Sequence, residues 1–178
     1  MPGHYDLWAQ ATGDAFWTRA AAAARAYWQK TAYPTTGLMP VRATFDGQMV
    51  PNWNAFQPEA YRAQINMALD QIWSQGGLGD GWNRTEANNL LTFFSTKAGG
   101  INNYGTSYTL DGTPVNPARE NALVAVNGVS AMLAINIDRS DYVNQVWGLP
   151  IPTLVPRYYQ GVLYLTSLLI LSGQYQIQ

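Results

Sequence analysis

The feature that most constrains this chain is a pair of segments with helical spacing and hardly any polar side. Residues 118–136 read ARENALVAVNGVSAMLAIN, and residues 158–171 read YYQGVLYLTSLLIL. A helix that is apolar nearly all round must be surrounded by other elements. The most apolar run, Gly161 to Leu171, is too short to span a bilayer, which takes about 20 residues. So the chain must supply further helices to bury these two.

The remaining sequence supplies them. Asp14 can cap a helix running to about Thr31, with Phe16, Ala20, Ala23, Ala24 and Tyr27 on its inward face. Tyr33-Pro34 and Gly37 end it. Pro58 sits in the first turn of the next helix, where its missing N–H costs nothing. Tyr61, Ile65, Ala68, Leu69 and Ile72 form that helix's apolar stripe, and Gly76-Gly77 ends it. A third helix is expected from about Asn83 to Lys97, with Ala87, Leu90, Leu91 and Phe94 inward. A short helix follows Asp138, and Gly173 closes the last one. The fold class read from these periods is all-α, one domain over residues 1–178.

Strand signals are few. TFDGQMVP (Thr44 to Pro51) and TLDGTPVN (Thr109 to Asn116) each centre on Asp-Gly, the strongest short hairpin signal. Each leads through a proline, Pro58 or Pro117, into a helix. They lie 65 residues apart, which reads either as a repeat of a helical pair plus hairpin loop or as two unrelated hairpins. The linkers Leu38–Gln57 and Ala98–Asn116 are long for a compact domain, and long ordered loops often carry function. Helical hairpins with their long loops at one end suggest where a binding face lies.

Composition removes several function classes. The net charge is −1, with two Lys and eight scattered Arg, which argues against nucleic acid as a partner. The absence of Cys excludes disulfides, iron–sulfur clusters and Cys-bound zinc. His4 is the single histidine and lies near an end expected to be mobile, so neither a transition-metal site nor a Ser–His–Asp triad is expected. GGLGDG (Gly76 to Gly81) lacks the Lys-Ser/Thr and preceding strand of a phosphate loop and reads as a helix-to-helix turn. No cofactor is implied. The opening MPGHYDLWAQ has neither a basic n-region nor an apolar h-region, so no signal peptide is expected in this chain. Much Asn, Gln and Thr with seven Trp and eleven Tyr suits a surface that handles sugars.

Among the polar residues, Glu59 and Arg62 come first. One reading is a carboxylate at a cleft mouth, kept charged by a cation one turn along and able to take a proton from water. The other is a helix-start carboxylate stabilised by the dipole, in an ordinary i,i+3 pair. Asn66 and Asp70 continue the stripe and read as a solvated helix face. Tyr158, Tyr159 and Tyr164 stand at the front of the last helix, where an aromatic ring can stack on a sugar and its hydroxyl can bond it. Trp53, Phe56 and Tyr104 lie in or beside the long loops and are expected as exposed stacking residues.

Five stretches, in order, resemble the C-terminal half of glycoside hydrolase family 8, the endoglucanases, xylanases, chitosanases and licheninases. HYDLWAQATGDAFWTRAAAAARAYW is similar to that family's FYELWA…FW…A helix, and PTTGLMPVRATFDGQMV to its HPxTGLxPDYxxFDG. EAYRAQINMALDQIW is similar to DAWRVAxNIAxDYxW, NNYGTSYTLDGTPV to NYGxxYxLDGxPL, and RYYQGVLYLTSLLILSGQYQI to RYYDGxLYLLxLLxxSGxFRI.

The resemblance implies about half of an (α/α)6 barrel, with short β-hairpin loops at one end and a cleft for β-1,4-linked oligo- or polysaccharide. It implies inverting hydrolysis, which needs an acid and a base on opposite sides of the scissile bond. Glu59 stands where one large subgroup has its general base, an Asp, and Arg62 matches the family's Arg as its orienter. Trp53, Tyr104, Tyr158 and Tyr159 are the implied substrate contacts. Gln160 replaces the Asp of RYYDG. The family's general acid belongs to the half that this chain lacks, and neither Glu86 nor Glu120 falls within that acid's motif. Half a barrel leaves an apolar side uncovered, which implies a protein partner or a second copy of the chain. The resemblance also implies an extracellular or periplasmic protein. A family member that kept the helices and lost the chemistry, serving as an assembly subunit, is the alternative.

Overall fold

The computed structural model describes residues 1–74 and 81–177, in which seven α-helices frame one two-stranded sheet. The Gly76-Gly77 stop and most of GGLGDG lie outside the described residues. The helices are α1 (Pro2–Thr12), α2 (Ala15–Thr31), α3 (Arg62–Trp73), α4 (Trp82–Thr92), α5 (Asn121–Ser130), α6 (Arg139–Trp147) and α7 (Tyr159–Leu171). Two caps act as their residue types dictate: Asp14 accepts from the Phe16 N–H at 2.8 Å and Asp138 from Ser140 at 2.9 Å.

Packing runs as an open arc. Helix α1 lies against both α2 and α3, α3 against α5, and α5 against α6 and α7. Every residue of α5 from Ala122 to Ser130 is buried. Thus α5 is the enclosed helix that its apolar sequence demands, although it ends at Ser130. Beyond it the chain goes on in tight turns, with the N–H groups of Met132 and Leu133 bonded to Val129 and Ser130 carbonyls. The other apolar segment, α7, is not enclosed. Tyr158, Val162, Leu165 and Leu169 form an exposed stripe along one side of it, and Ile151, Leu154 and Val155 before it are exposed as well.

At the opposite end of the arc, α2 turns the unexpected side inward. Its buried residues are Ala21, Arg25, Trp28 and Thr31, whereas Phe16 and Ala23 of the expected inward face are exposed and Ala20, Ala24 and Tyr27 only half-buried. The cause is Arg25. Its Nε donates to both carboxylate oxygens of Asp70, at 3.0 and 3.2 Å, and its Nη2 to Asp70 at 2.6 Å and to Asp6. Burial alone would lower the Arg25 pKa, but these bonds hold it above its ordinary value. Asp70, read as part of a solvated face, is therefore 1% exposed at the junction of α1, α2 and α3. The N-terminal segment, expected to be mobile, is the helix α1. It is held by Asp6, by the Tyr5, Trp8 and Trp17 rings, and by His4 edge-on to Trp73 at 4.9 Å.

The two Asp-Gly loops share the same set of core bonds, to which the second adds two from Thr113 to Asp111. Thr44 donates its N–H to Gln48 at 2.8 Å, as Thr109 does to Thr113 at 2.9 Å. The Thr44 and Thr109 hydroxyls donate to Asp46 and Asp111 and accept from Gln48 and Thr113, both at 3.0 Å. Gly47 and Gly112 take φ of 93° and 99°, a left-handed region that favours glycine. Only the second loop carries a ladder, β1 (Ser107–Tyr108) with β2 (Pro114–Asn116). The first closes on a single bridge, Ala43 to Met49, and Phe56 pairs with Tyr108 to join the long linkers. Among the described residues, no helix is long and apolar enough to cross a membrane.

Candidate active site

The chain enters α3 through a 3-10 turn, Pro58–Tyr61, that Pro58 starts. Ala60 and Tyr61 of this turn are buried, which leaves Glu59 outward and exposed. The Tyr61 hydroxyl anchors the turn by donating to the Thr106 carbonyl at 2.5 Å. Arg62 Nε donates at 3.2 Å to the backbone carbonyl of Glu59. The expected pairing of Arg62 with the Glu59 carboxylate is thus a bond to the backbone, which fixes the turn. Both ion pairs among the described residues belong to Arg25.

Three helix starts meet at this end. Tyr159, the first residue of α7, donates its hydroxyl to the Pro58 carbonyl. Its neighbour Gln160 accepts the Asn121 N–H, the first amide of α5, on Oε1 at 3.2 Å. Burial pushes the Tyr159 phenol up to about 12; Arg62 opposes this, and Glu59 and Glu120 add to it. Glu120 precedes α5 and is half-buried. Its carboxyl is pushed above the ordinary range by burial and then by the charge of Glu59.

Two hollows flank the Glu59–Arg62 ridge. One, of about 150 Å³, lies between Glu59, Ala63, Trp28, Met39 and Val41. The other, of about 180 Å³, is lined by Arg62, Tyr158, Tyr159, Val162 and Leu163. Tyr158 is 82% exposed. Trp53 is exposed on the first long linker and lies beside the wall of the first hollow: Arg42, next to Val41, donates its N–H to Trp53 O at 3.1 Å and stacks its guanidinium 4.2 Å over the indole.

Tyr104 does not join them. It is 1% exposed, packed on Phe94 at 4.8 Å and covered by the Arg119 guanidinium at 4.6 Å. Phe56 is buried in the same aromatic cluster, against Tyr61 and Phe94. Both long linkers fold over this cluster, so their large rings become core, and neither residue is available to stack on a ligand. Among the described residues, no three His, Asp or Glu side chains converge as metal ligands.

No protein-family model matches the chain. It is 34% identical over 187 residues to the reducing-end xylose-releasing exo-oligoxylanase Rex8A of Paenibacillus barcinonensis, covering 99% of this chain and 48% of that protein. It is 32% identical over 180 residues to the reducing-end xylose-releasing exo-oligoxylanase of Halalkalibacterium halodurans, covering 97% of this chain and 44% of that one. The structure superposes on Rex8A complexed with xylose with a TM-score of 0.88 at 33% identity, over 99% of this chain and 48% of the other. It superposes equally on a GH8 xylobiose complex from Teredinibacter turnerae, with a TM-score of 0.88 at 33% identity over 99% and 45%. The fold is that of half a family 8 glycoside hydrolase.

The chain spans about half the length of these relatives. Its open arc of helices is accordingly a partial (α/α)6 barrel. In family 8 terms, the Glu59 turn and the start of α7 are the DAWR-like and RYYDG-like stretches, and the structure brings them into hydrogen-bonding contact. Glu120, set aside in the sequence because it matches no acid motif, joins them. No local signal in the sequence marks it: Glu120 falls inside the helix expected from Ala118, whereas α5 begins at Asn121 and leaves Glu120 just before it. Buried Glu86, in α4, has no part in this cluster.

Proposed function

We propose that this chain forms the base-bearing half of a cleft that hydrolyses β-1,4-linked xylo-oligosaccharides with inversion, and that the acid comes from outside it. The meeting of Glu59, Arg62 and Tyr159 where three helices start is the observation that supports this best. In inverting hydrolysis a carboxylate takes a proton from water as the water attacks the anomeric carbon. An acid roughly 6.5–9.5 Å away protonates the departing oxygen. Glu59, exposed beside a hollow, has the access to water that a base requires. The Arg62 bond to its carbonyl holds the turn in place, which matters because a misplacement of roughly 1 Å can cost about 100-fold. Tyr158, Tyr159 and Trp53 are the proposed sugar contacts; buried Tyr104 is not among them. The xylose polymer is preferred to glucan because the relatives described above are named for xylo-oligosaccharides.

The acid-bearing half, a separate chain or a second copy of this one, would cover the two open apolar faces of α2 and α7. A site of action outside the cytoplasm fits the same reading. The test is product analysis on xylotriose to xylohexaose, with native mass measurement, for the complete assembly. Glu59→Gln should abolish turnover, and unchanged turnover would remove Glu59 from the mechanism. The exposed stripe of α7 also favours a second reading, a non-catalytic assembly subunit; a stable oligomer without turnover would select it. A monomer that neither binds nor cleaves these sugars would overturn both.

A further inference from the structure

Glu120 occupies the N-cap position of α5 but does not cap it, since its side chain accepts no helix amide. Short Ser, Thr, Asp and Asn side chains do this work best. The Asn121 N–H is bonded instead by Gln160 of α7, so the Glu120 carboxyl is released from the structural task that its position would assign it. The neighbouring Tyr159 bonds the carbonyl of Pro58. Adjacent residues of α7 therefore hold the backbone next to Glu120 and the backbone next to Glu59.

We propose that Glu120 is a second sugar-contacting carboxyl of the Glu59 site, hydrogen-bonded to a hydroxyl of the xylo-oligosaccharide held there. This rests on reading the site as a xylo-oligosaccharide cleft. The groups facing Glu120 make its charge costly. The charge of Glu59 adds to that cost, and the charge of Glu120 in turn raises the Tyr61 and Tyr159 phenols. The adjacent cation, Arg119, is turned elsewhere, bonded to Gln145 at 2.5 Å and to the Ile101 carbonyl at 3.2 Å. Arg62 is bonded to the backbone of Glu59, and Gln160 is an uncharged amide. A sugar seated over both carboxyls excludes water, and two like charges repel more strongly in the drier site. The complex therefore favours the state in which the pair carries one proton, with Glu120 the member that burial already disposes to hold it.

The test is calorimetric binding of xylotetraose at several pH values to the wild type, Glu120→Gln and Glu120→Ala, with melting curves to confirm folding. Wild-type affinity should fall several-fold from about pH 5 to about pH 8, because binding takes up a proton. Glu120→Gln, a neutral donor at every pH, should bind tightly with a flat profile. Glu120→Ala should bind about tenfold more weakly, the loss expected for one hydrogen bond. If the wild type binds and both variants follow its affinity and pH profile, Glu120 has no part in the site, while the cleft reading stands. If the wild type binds no xylo-oligosaccharide at any pH, the cleft reading itself fails. If the alanine variant is unfolded, the glutamine variant decides: a flat profile supports the assignment and a wild-type slope overturns it.

Discussion

Replacing Glu86 by Gln should stabilise this protein, and by an amount that grows with pH. Glu86 is 3% exposed, and its Oε1 has no hydrogen-bond partner. Burial pushes its pKa from an ordinary 4.5 up to about 8. Between those values the folded state keeps a proton that the unfolded state has released. The folded state binds more protons, so stability is full below the unfolded pKa and declines as pH rises toward the folded one. At about 1.4 kcal/mol per pKa unit, the cost is roughly 3 kcal/mol at pH 7 and under about 1 kcal/mol at pH 5. Gln has the shape of the protonated acid and never ionises, so the variant escapes the cost. At about 2–4 °C per kcal/mol for a domain of this size, its Tm should exceed the wild type's by roughly 6–12 °C at pH 7 and by little at pH 5. Calorimetric melts of both proteins from about pH 5 to about pH 8 measure this. His4 acts in the opposite direction: burial and the N-terminal charge lower its pKa, so its contribution is lost as pH falls. It is present in both proteins, and the difference curve cancels it. A difference that is the same at all pH values would refute the account of Glu86 as a buried acid.

Asp70→Ala leaves the buried Arg25 guanidinium with Asp6 alone, and a loss of about 3–5 kcal/mol is expected from urea unfolding; a loss under about 1 kcal/mol would mean that Asp6 suffices. Gly128→Ala places a Cβ 2.3 Å from Val146 Cγ2 where α5 meets α6, which should cost about 1–3 kcal/mol through overpacking. Val146→Ala in the same chain should return much of that stability, and no recovery would place the strain elsewhere. In hydrogen exchange, the amides of α5 should be the slowest and those of α7 faster, because α7 has an uncovered apolar side; equal protection would show that the open stripe does not weaken the helix.

What could be read from the sequence were the features decided within a few residues. The Asp14 and Asp138 caps, the apolar stripe of α4, that of α3 as far as Leu69 and the turns at the two Asp-Gly pairs need only near neighbours, and each formed; Ile72, expected on the α3 stripe, is exposed where the helix ends. What escaped depends on partners far along the chain. Local spacing makes Asp70 a polar residue on a helix face, and nothing near it announces Arg25, 45 residues away. An Ala-rich helix such as α2 carries too weak an apolar bias to fix its own orientation, so that one buried Arg decides which side turns inward. Tyr104 sits in a loop, where exposure is the usual expectation, but the linkers close over an aromatic cluster and bury it. Glu59 and Arg62 stood out through the family resemblance. Glu120 did not, since only the contacts among α3, α5 and α7 bring it to them.

Those contacts tie the candidate site to the open edge of the arc. Two of the bonds that register the Glu59 turn and the start of α5 come from Tyr159 and Gln160, the first two residues of α7. The same helix carries the exposed stripe of Tyr158, Val162, Leu165 and Leu169. A helix packed on one side only has fewer apolar contacts opposing its local opening. When α7 opens, it releases both bonds at once, and Glu59 and Glu120 lose their common reference. Covering the stripe would therefore do more than shield apolar surface. It would hold the two carboxyls in fixed relation, at the tolerance of roughly 1 Å that proton transfer from a positioned water demands. On the proposed reading of Glu59 as a base completed by a second half, the exposed stripe of α7 is where assembly would control the chemistry.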